Sequence, residues 1–327
     1  ISLAERIADM APEGMNHVFF ANSGSEAVDT ALKVALGYHR IKGAGNRFRM
    51  IGRERGYHGV GFGGMSVGGI VSNRKMFAAG MMSGVDHLRH TYEPEHMAFT
   101  RGQPTWGKHR AEDLVRLVTL HDASTIAAVI VEPVQGSTGV IVPPVGYLQR
   151  LREICTANGI LLIFDEVITG FGRMGENFGA QRFGVTPDII TFAKAVTNGI
   201  VPMGGVIVTD EIYNTFMTGP ENAIEFCHGY TYSGHPMAAA VGHVVLDVMR
   251  EEGLVARVRE LEPVLEDAIH GLKDMDVIAD IRNIGLTAAI DLKPAADKLG
   301  ARGAALFEAG LRGGLLLRCT GAVSYTH

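Results

Sequence analysis

Cysteine, long apolar runs and an excess of charge of one sign are all scarce in this sequence. The 327 residues include three cysteines, Cys155, Cys227 and Cys319, none in a C-x-x-C pair, which is typical of a reduced cytosolic protein. No apolar stretch approaches the ~18 residues of a membrane-spanning helix. The net charge of −5, without any basic run, argues against a nucleic-acid partner.

The rest of the composition is that of a globular enzyme. Hydrophobic residues make up 46 % and charged residues 20 % of a chain that is long enough for two domains. The first ten residues, Ile1 to Met10, have the pattern of an amphipathic helix, without a starting methionine or a signal peptide. We therefore expect the sequence to be a fragment of a longer protein.

Short apolar runs alternate with helix-length segments over most of the chain. The strand-like runs are His17–Ala21, Arg47–Gly52, Ala127–Glu132, Ile160–Glu166, Ile189–Ala193 and Gly204–Val208, and the helical segments among them are Ser25–Leu36, Ala111–His121 and Pro144–Asn158. This alternation predicts βα units and a mainly parallel sheet, within an α/β domain over residues 1–245. The following helices and β-like stretch predict a smaller α+β domain over residues 246–327; they are Pro236–Glu252, Val255–Leu272, Val277–Leu292 and Arg302–Leu311.

Two of the apolar runs end in side chains of opposite charge. The run from Gly159 ends at Asp165, and the run from Asp188 ends at Lys194. Ligands of open α/β sheets bind beyond the carboxyl ends of such strands. A lysine forms an imine with the aldehyde of pyridoxal 5'-phosphate (PLP), and a carboxylate keeps the pyridine nitrogen of that cofactor protonated. The pair therefore predicts a PLP enzyme. Each residue taken singly has an alternative interpretation: Lys194 as a surface lysine, and Asp165 as a strand-end carboxylate that forms a hydrogen bond with a loop.

A phosphate site is predicted where the first strand meets the next helix. Asn22-Ser-Gly-Ser-Glu-Ala27 follows the strand and opens the helix, whose free N–H groups suit a phosphate. Gly24 allows a close approach, and the hydroxyl of Ser25 can donate. The alternative is an ordinary serine N-cap.

Other patterns have more than one interpretation. Tyr57 follows a strand and can stack on a pyridine ring or belong to the core, and Glu132 ends a strand where it can pair with an arginine or face solvent. Gly59-Val-Gly-Phe-Gly-Gly64 matches G-x-G-x-x-G, but no apolar strand leads directly into it, so we interpret it as a flexible loop rather than a dinucleotide site. His87 and His90 have no third ligand nearby, and we predict no metal site.

Assembled in order, these motifs resemble the class III aminotransferases, which have the PLP-dependent fold type I. The segments that carry the resemblance are Asn22–Ala27, Tyr57–Gly59, Glu132-Pro133, Phe164–Val167 with Gly170–Arg173, Ala193-Lys194, and Tyr230–Pro236. Within that class the sequence is most similar to the ω-amino acid:pyruvate enzymes, such as those that use β-alanine. The resemblance implies a longer N-terminal segment before Ile1 and a different continuation after Gly321.

The resemblance also implies roles for single residues. Lys194 binds the cofactor's aldehyde and Asp165 its ring nitrogen, while Val167 packs under the ring. The other implied cofactor contacts are Gly24 and Ser25 on the phosphate, Thr231 on the phosphate from a neighbouring subunit, and Tyr57 stacked on the ring beside His58. The resemblance implies that Arg318 binds a substrate carboxylate, a task that suits a guanidinium because it forms two hydrogen bonds with a carboxylate. It also implies that Glu132 lies on the substrate side.

The expected activity is the transfer of an amino group from an ω-amino acid or amine to pyruvate, which gives alanine. The expected partners are these small molecules and further copies of the chain, as a cytoplasmic dimer or tetramer with shared sites, without nucleic acid, membrane or metal. Two alternatives remain: another fold type I PLP reaction, such as that of an aminomutase or racemase, and a truncated PLP-binding fragment without turnover.

Overall fold

In the described part of the chain, seven strands form one mixed sheet. The computed structural model describes residues 1–222, 224–295 and 300–320. The strands are β1 (His17–Ala21), β2 (Arg49–Arg53), β3 (Val85–Leu88), β4 (Ile126–Val131), β5 (Leu161–Asp165), β6 (Ile189–Ala193) and β7 (Gly204–Val208), in the spatial order β1-β7-β6-β5-β4-β2-β3. Strands β6, β5, β4, β2 and β3 pair in parallel, whereas β7 is antiparallel to both β1 and β6.

Helices alternate with the strands of the sheet along the chain, and further helices come after its last strand. They are α1 (Ser2–Met10), α2 (Gly24–Ile41), α3 (Phe62–Val67), α4 (Val71–Met76), α5 (Pro94–Met97), α6 (Glu112–His121), α7 (Tyr147–Asn158), α8 (Gly179–Phe183), α9 (Asp210–Phe216), α10 (Pro236–Glu251), α11 (Leu254–His270) and α12 (Ala301–Arg312). A hairpin of β8 (Ile278–Ile284) and β9 (Thr287–Leu292) lies between the last two helices. Among the described residues, no helix combines the length and the apolar character needed to cross a membrane.

Two apolar layers, one on each face of the sheet, explain the continuous apolar runs. All residues of β4, β5 and β6 are buried. Leu161 and Ile163 pack into the layer that contains α2, whereas Leu162 and Phe164 pack into the layer that contains α6 and α7. A parallel strand covered on both faces needs apolar side chains at every position, so it does not show the alternation of a half-exposed strand.

The structure confirms the mainly parallel α/β sheet and the N-terminal helix, and it also differs from the sequence-based expectations. Strand β3 was not expected, because its four residues include Asp86 and His87 between two apolar ones. Part of the expected glycine-rich loop is helical, since α3 begins at Phe62. The predicted domain boundary after residue 245 falls inside α10, and that division of the chain stays a prediction. The tail after Thr320 lies outside the described residues.

A buried polar cluster joins the β8–β9 hairpin to the large sheet. Arg282 forms a two-pronged ion pair with Asp291, with both N–O distances 2.9 Å, and it also pairs with Asp280. The same guanidinium donates to the carbonyl of Gly139, and the hydroxyl of Tyr92 donates to Asp280 at 2.8 Å. Because Gly139 lies in the loop that follows β4, the hairpin is attached directly to the carboxyl-end side of the sheet.

The layered core predicts a large effect for one central side chain. Phe164 is fully buried, so Phe164→Ala should lower the free energy of unfolding by about 3–5 kcal/mol, through lost apolar burial and the cavity left behind. Phe77, which is 48 % exposed, provides the matched control, and Phe77→Ala should change stability little. Urea denaturation followed by far-UV circular dichroism measures both, and equal losses for the two variants would contradict the assigned core.

Candidate active site

Asp165 and Lys194 lie at the same end of adjacent strands. Asp165 is the last residue of β5, Lys194 follows directly on β6, and these two strands pair in parallel with Asp165 opposite Thr191. Both residues line a cavity of about 330 Å³ at this edge of the sheet. The remaining wall comes from the start of α2, from the loops after β2, β4 and β5, and from the turn that follows Lys194.

Three donors hold the carboxylate of Asp165 in place. His58 Nδ1 lies 2.7 Å from one oxygen of the carboxylate, and both side chains are buried. The hydroxyl of Thr191 and the backbone N–H of Val167 donate to the other oxygen at 3.1 and 3.2 Å. Hydrogen bonds to both oxygens stabilise the negative charge and fix the plane of the carboxylate.

Lys194 combines an unusual backbone conformation with an environment that disfavours its charge. Its φ of 49° lies in the left-handed region, which non-glycine residues adopt rarely and mostly at functional sites. Burial lowers the pKa of Lys194, and although the charges of Asp165 and Glu132 raise that pKa in part, the charge of Arg318 lowers it again. A lysine with a lowered pKa is more often uncharged near neutral pH, as a nucleophile or base must be.

The N-terminus of α2 forms another wall of the cavity. Ser23 caps the helix by accepting from the N–H of Glu26 at 3.2 Å, and the carboxylate of Glu26 accepts from the N–H of Asn22 at 2.7 Å. A Cβ on Gly24 would lie 3.1 Å from the side chain of Val167, so only glycine fits here comfortably. With these caps in place, the first N–H groups of the helix and the hydroxyl of Ser25 are available to an anion.

Glu132 ties together two of the loops around the cavity. One of its oxygens accepts from the N–H of Tyr57 and the other from the N–H of Gly136, both at 2.9 Å. Burial raises the pKa of Glu132, and Arg53 donates to its main-chain carbonyl at 2.6 Å rather than to its carboxylate. In the described residues, the carboxylate is therefore bound to backbone amides, and no arginine side chain lies within ion-pair distance of it.

Eight of the ten residues singled out from the sequence line this one cavity. They are Gly24, Ser25, Tyr57, His58, Glu132, Asp165, Val167 and Lys194. Thr231 lies instead on an exposed turn, and Arg318 lies in a shallow groove with Phe307 and Leu317, although its charge still reaches Lys194. The roles of all ten stay predictions.

Two further residues support the site without any signal in the sequence. Thr191 lies inside an apolar run, and only the pairing of β5 with β6 brings it to Asp165. Glu166 is fully buried and accepts from the N–H groups of Gly179 and Ala180 at 2.5 and 2.7 Å, which fixes the loop that follows Asp165. Burial raises the pKa of Glu166 to about 7.

The electrostatic contacts of Lys194 predict the effect of removing one charge. Asp165→Asn removes a negative charge that favours the protonated amine, so the pKa of Lys194 should fall further below its ordinary value. The pH dependence of reductive methylation of Lys194 in the ligand-free protein, followed by mass spectrometry of its peptide, measures this pKa. Asp122→Asn, on an exposed loop, is the control. An unchanged or higher pKa of Lys194 in Asp165→Asn would contradict the stabilisation of the charged amine by Asp165.

Known proteins of one family are similar to this chain in sequence and architecture. The family model "Aminotransferase class-III" matches residues 1–326. An omega-aminotransferase of Caulobacter vibrioides is 55 % identical over 320 residues, which cover 98 % of this chain and 73 % of that protein. A beta-alanine–pyruvate aminotransferase of Pseudomonas aeruginosa is 57 % identical over 295 residues, which cover 89 % of this chain and 65 % of that protein.

A solved structure gives the same result for the fold. The PLP-bound form of an amine transaminase from an uncultivated Pseudomonas species superposes with a TM-score of 0.89 at 36 % sequence identity, over 98 % of this chain and 74 % of that one. The sequence matches and the shared fold together show that this chain belongs to the class III aminotransferase family.

Proposed function

We propose that this chain is a PLP-dependent transaminase, which moves an amino group from an ω-amino acid or amine, such as β-alanine, to pyruvate. The observation that carries the proposal is the pairing of Asp165 and Lys194 in one cavity next to the N-terminus of α2. The names of the relatives support the substrates. The chain spans 65 to 73 % of the lengths of these relatives.

The residues around the cavity fit the parts of PLP. An amine for the aldehyde, a carboxylate for the ring nitrogen and a helix N-terminus for the phosphate all line the same space of about 330 Å³. Val167, Ile168 and Ala193 add apolar surface for a ring. When bound, PLP supplies an electron sink for the carbon that loses a proton.

Lys194 and Asp165 perform the proton chemistry in this proposal. The neutral amine of Lys194 would hold PLP through its aldehyde carbon, and once freed by the substrate amine it would be the base that carries the proton lost by the substrate carbon. Asp165 would keep a proton on the ring nitrogen, and His58 and Thr191 hold its carboxylate in place for that role. A fixed charge of this kind lowers the barrier because it needs no reorganisation during the reaction.

The remaining residues bind and orient. Gly24 and Ser25 would hold the phosphate at the start of α2, and Val167 and Tyr57, which line the same cavity, would contact the ring. Arg318 grips the carboxylate of the amino acid or of pyruvate, which is supported by the reach of its charge to Lys194. Glu132 fixes the Tyr57 loop on the substrate side through its two backbone hydrogen bonds.

Product analysis tests this function directly. With PLP, pyruvate and a donor such as β-alanine, 4-aminobutyrate or an aryl amine, the protein should form one alanine for each pyruvate consumed. Lys194→Ala should lose both this turnover and the absorbance band of the lysine–PLP imine. Donor isomerisation without loss of pyruvate would instead indicate a mutase or racemase, and PLP binding without any turnover would indicate an inactive fragment.

We also propose that the protein is a cytoplasmic homo-oligomer in which Thr231 contacts the phosphate of a neighbouring subunit. The turn that carries Thr231 is exposed in the single chain, and Ile224, Tyr232 and Met237 near it are 74 %, 69 % and 64 % exposed. Apolar side chains concentrated in one exposed region are typical of an interface. The described cysteines form no disulfide, in keeping with a reducing compartment.

Mixing two defective variants tests the shared site. Lys194→Ala, which is inactive alone, and Thr231→Ala, which is weak alone at limiting PLP, should regain activity after subunit exchange, because a hybrid dimer has one site with both native residues. Random exchange restores about a quarter of all sites. Each variant incubated alone is the control. If Thr231 served the site of its own subunit, no mixture would regain activity.

A further inference from the structure

The glycine-rich segment Gly59–Gly64 lies along one face of α2. Ser25 and Asp29 are four residues apart on that helix and therefore share a face. The backbone N–H of Val60 donates to the hydroxyl oxygen of Ser25 at 3.1 Å, and the N–H of Gly64 donates to a carboxylate oxygen of Asp29 at 2.9 Å. The segment is thus hydrogen-bonded to the helix at both of its ends.

The contact is so close that side chains would prevent it. A Cβ on Gly59, whose φ is +91°, would lie 2.5 Å from the hydroxyl oxygen of Ser25. A Cβ on Gly61 would lie 2.3 Å from a carboxylate oxygen of Asp29. The G-x-G-x-x-G spacing therefore serves the packing of this segment on α2, and the carboxylate of Asp29 is the group against which it packs.

This contact determines what the hydroxyl of Ser25 can do. A serine hydroxyl has one proton and two lone pairs. Because the N–H of Val60 is directed at the oxygen, it occupies a lone pair and leaves the proton free to donate. Ser25 lines the cavity at the helix N-terminus, so its proton is available to an acceptor bound there.

We propose that Asp29, which does not line the cavity, is a positioning residue for the cofactor phosphate. By holding the N–H of Gly64, its carboxylate keeps the glycine-rich segment on α2, and the segment in turn keeps the N–H of Val60 on Ser25, so that the hydroxyl of Ser25 donates to the phosphate. This inference rests on the proposed function, since it assumes that the anion at this helix is the phosphate of PLP.

Comparison of PLP with pyridoxal, which lacks the phosphate, tests the inference by equilibrium binding. Asp29→Ala should raise the dissociation constant for PLP about three- to tenfold, the effect of weakening one hydrogen bond, and should leave that for pyridoxal unchanged. Asp29→Asn, which keeps an acceptor for the N–H of Gly64, should recover part of the loss. Asp122→Asn is the control. Asp122 also accepts a hydrogen bond from a backbone N–H, that of Ser124 at 2.9 Å, but it precedes β4, at the end of that strand opposite to the cavity.

A double-mutant cycle shows whether Asp29 acts through Ser25. In a Ser25→Ala background, Asp29→Ala should change PLP affinity by no more than about twofold, because the hydroxyl that it orients is already gone. Full additivity of the two losses, or an equal loss of PLP and pyridoxal affinity in Asp29→Ala, would overturn the proposal.

A second variant tests the same contact if Asp29→Ala fails to fold. Gly61→Ala keeps Asp29 but pushes the segment away from it, and it should weaken PLP binding without weakening pyridoxal binding. Gly219→Ala is its control, since a Cβ there has no atom within 4 Å. An unchanged PLP affinity in Gly61→Ala would refute the positioning role, whereas failure of the unmodified protein to bind PLP at all would refute the proposed function.

Discussion

The parallel pairing of β5 with β6 is the constraint on which the site depends. Parallel neighbours end at the same edge of a sheet, so the side chains that follow them are close whatever their distance along the chain. Asp165 and Lys194 meet in this way, at an edge that is buried enough to lower the pKa of the lysine. Burial of both sheet faces then serves function as well as stability, because rigid strands fix two reacting groups more precisely than loops can.

Hydrogen bonds from backbone amides to carboxylates hold the loops around this edge. Glu132 joins the loop after β2 to the loop after β4, and Glu166 holds the loop after β5 through the N–H groups of Gly179 and Ala180. Asp29 holds the glycine-rich segment in the same manner. A carboxylate accepts several N–H bonds at once, so one buried side chain can fix two segments that have no regular structure. The cavity is consequently shaped before any ligand enters it.

Much of this arrangement follows from local sequence patterns. The apolar runs that end at Asp165 and Lys194 predict both strands and their shared edge, and Ser23-Gly24-Ser25 predicts a helix start that can receive an anion. Partners that are distant in sequence were not predictable, since nothing in the local pattern connects Glu132 with Tyr57, or Thr191 with Asp165. Strand β3 was missed for a related reason: its place at the sheet edge permits polar residues that an interior strand would exclude.

Covalent trapping of the cofactor shows whether Lys194 is the lysine that binds PLP. Borohydride reduces the imine between PLP and a lysine to a stable amine, and peptide mapping by mass spectrometry then identifies the lysine. We expect a single pyridoxyl label on Lys194, the residue that follows β6 beside Asp165. A label on another lysine, such as Lys33 or Lys42 of the α2 region, or no label on a protein that retains PLP, would contradict it.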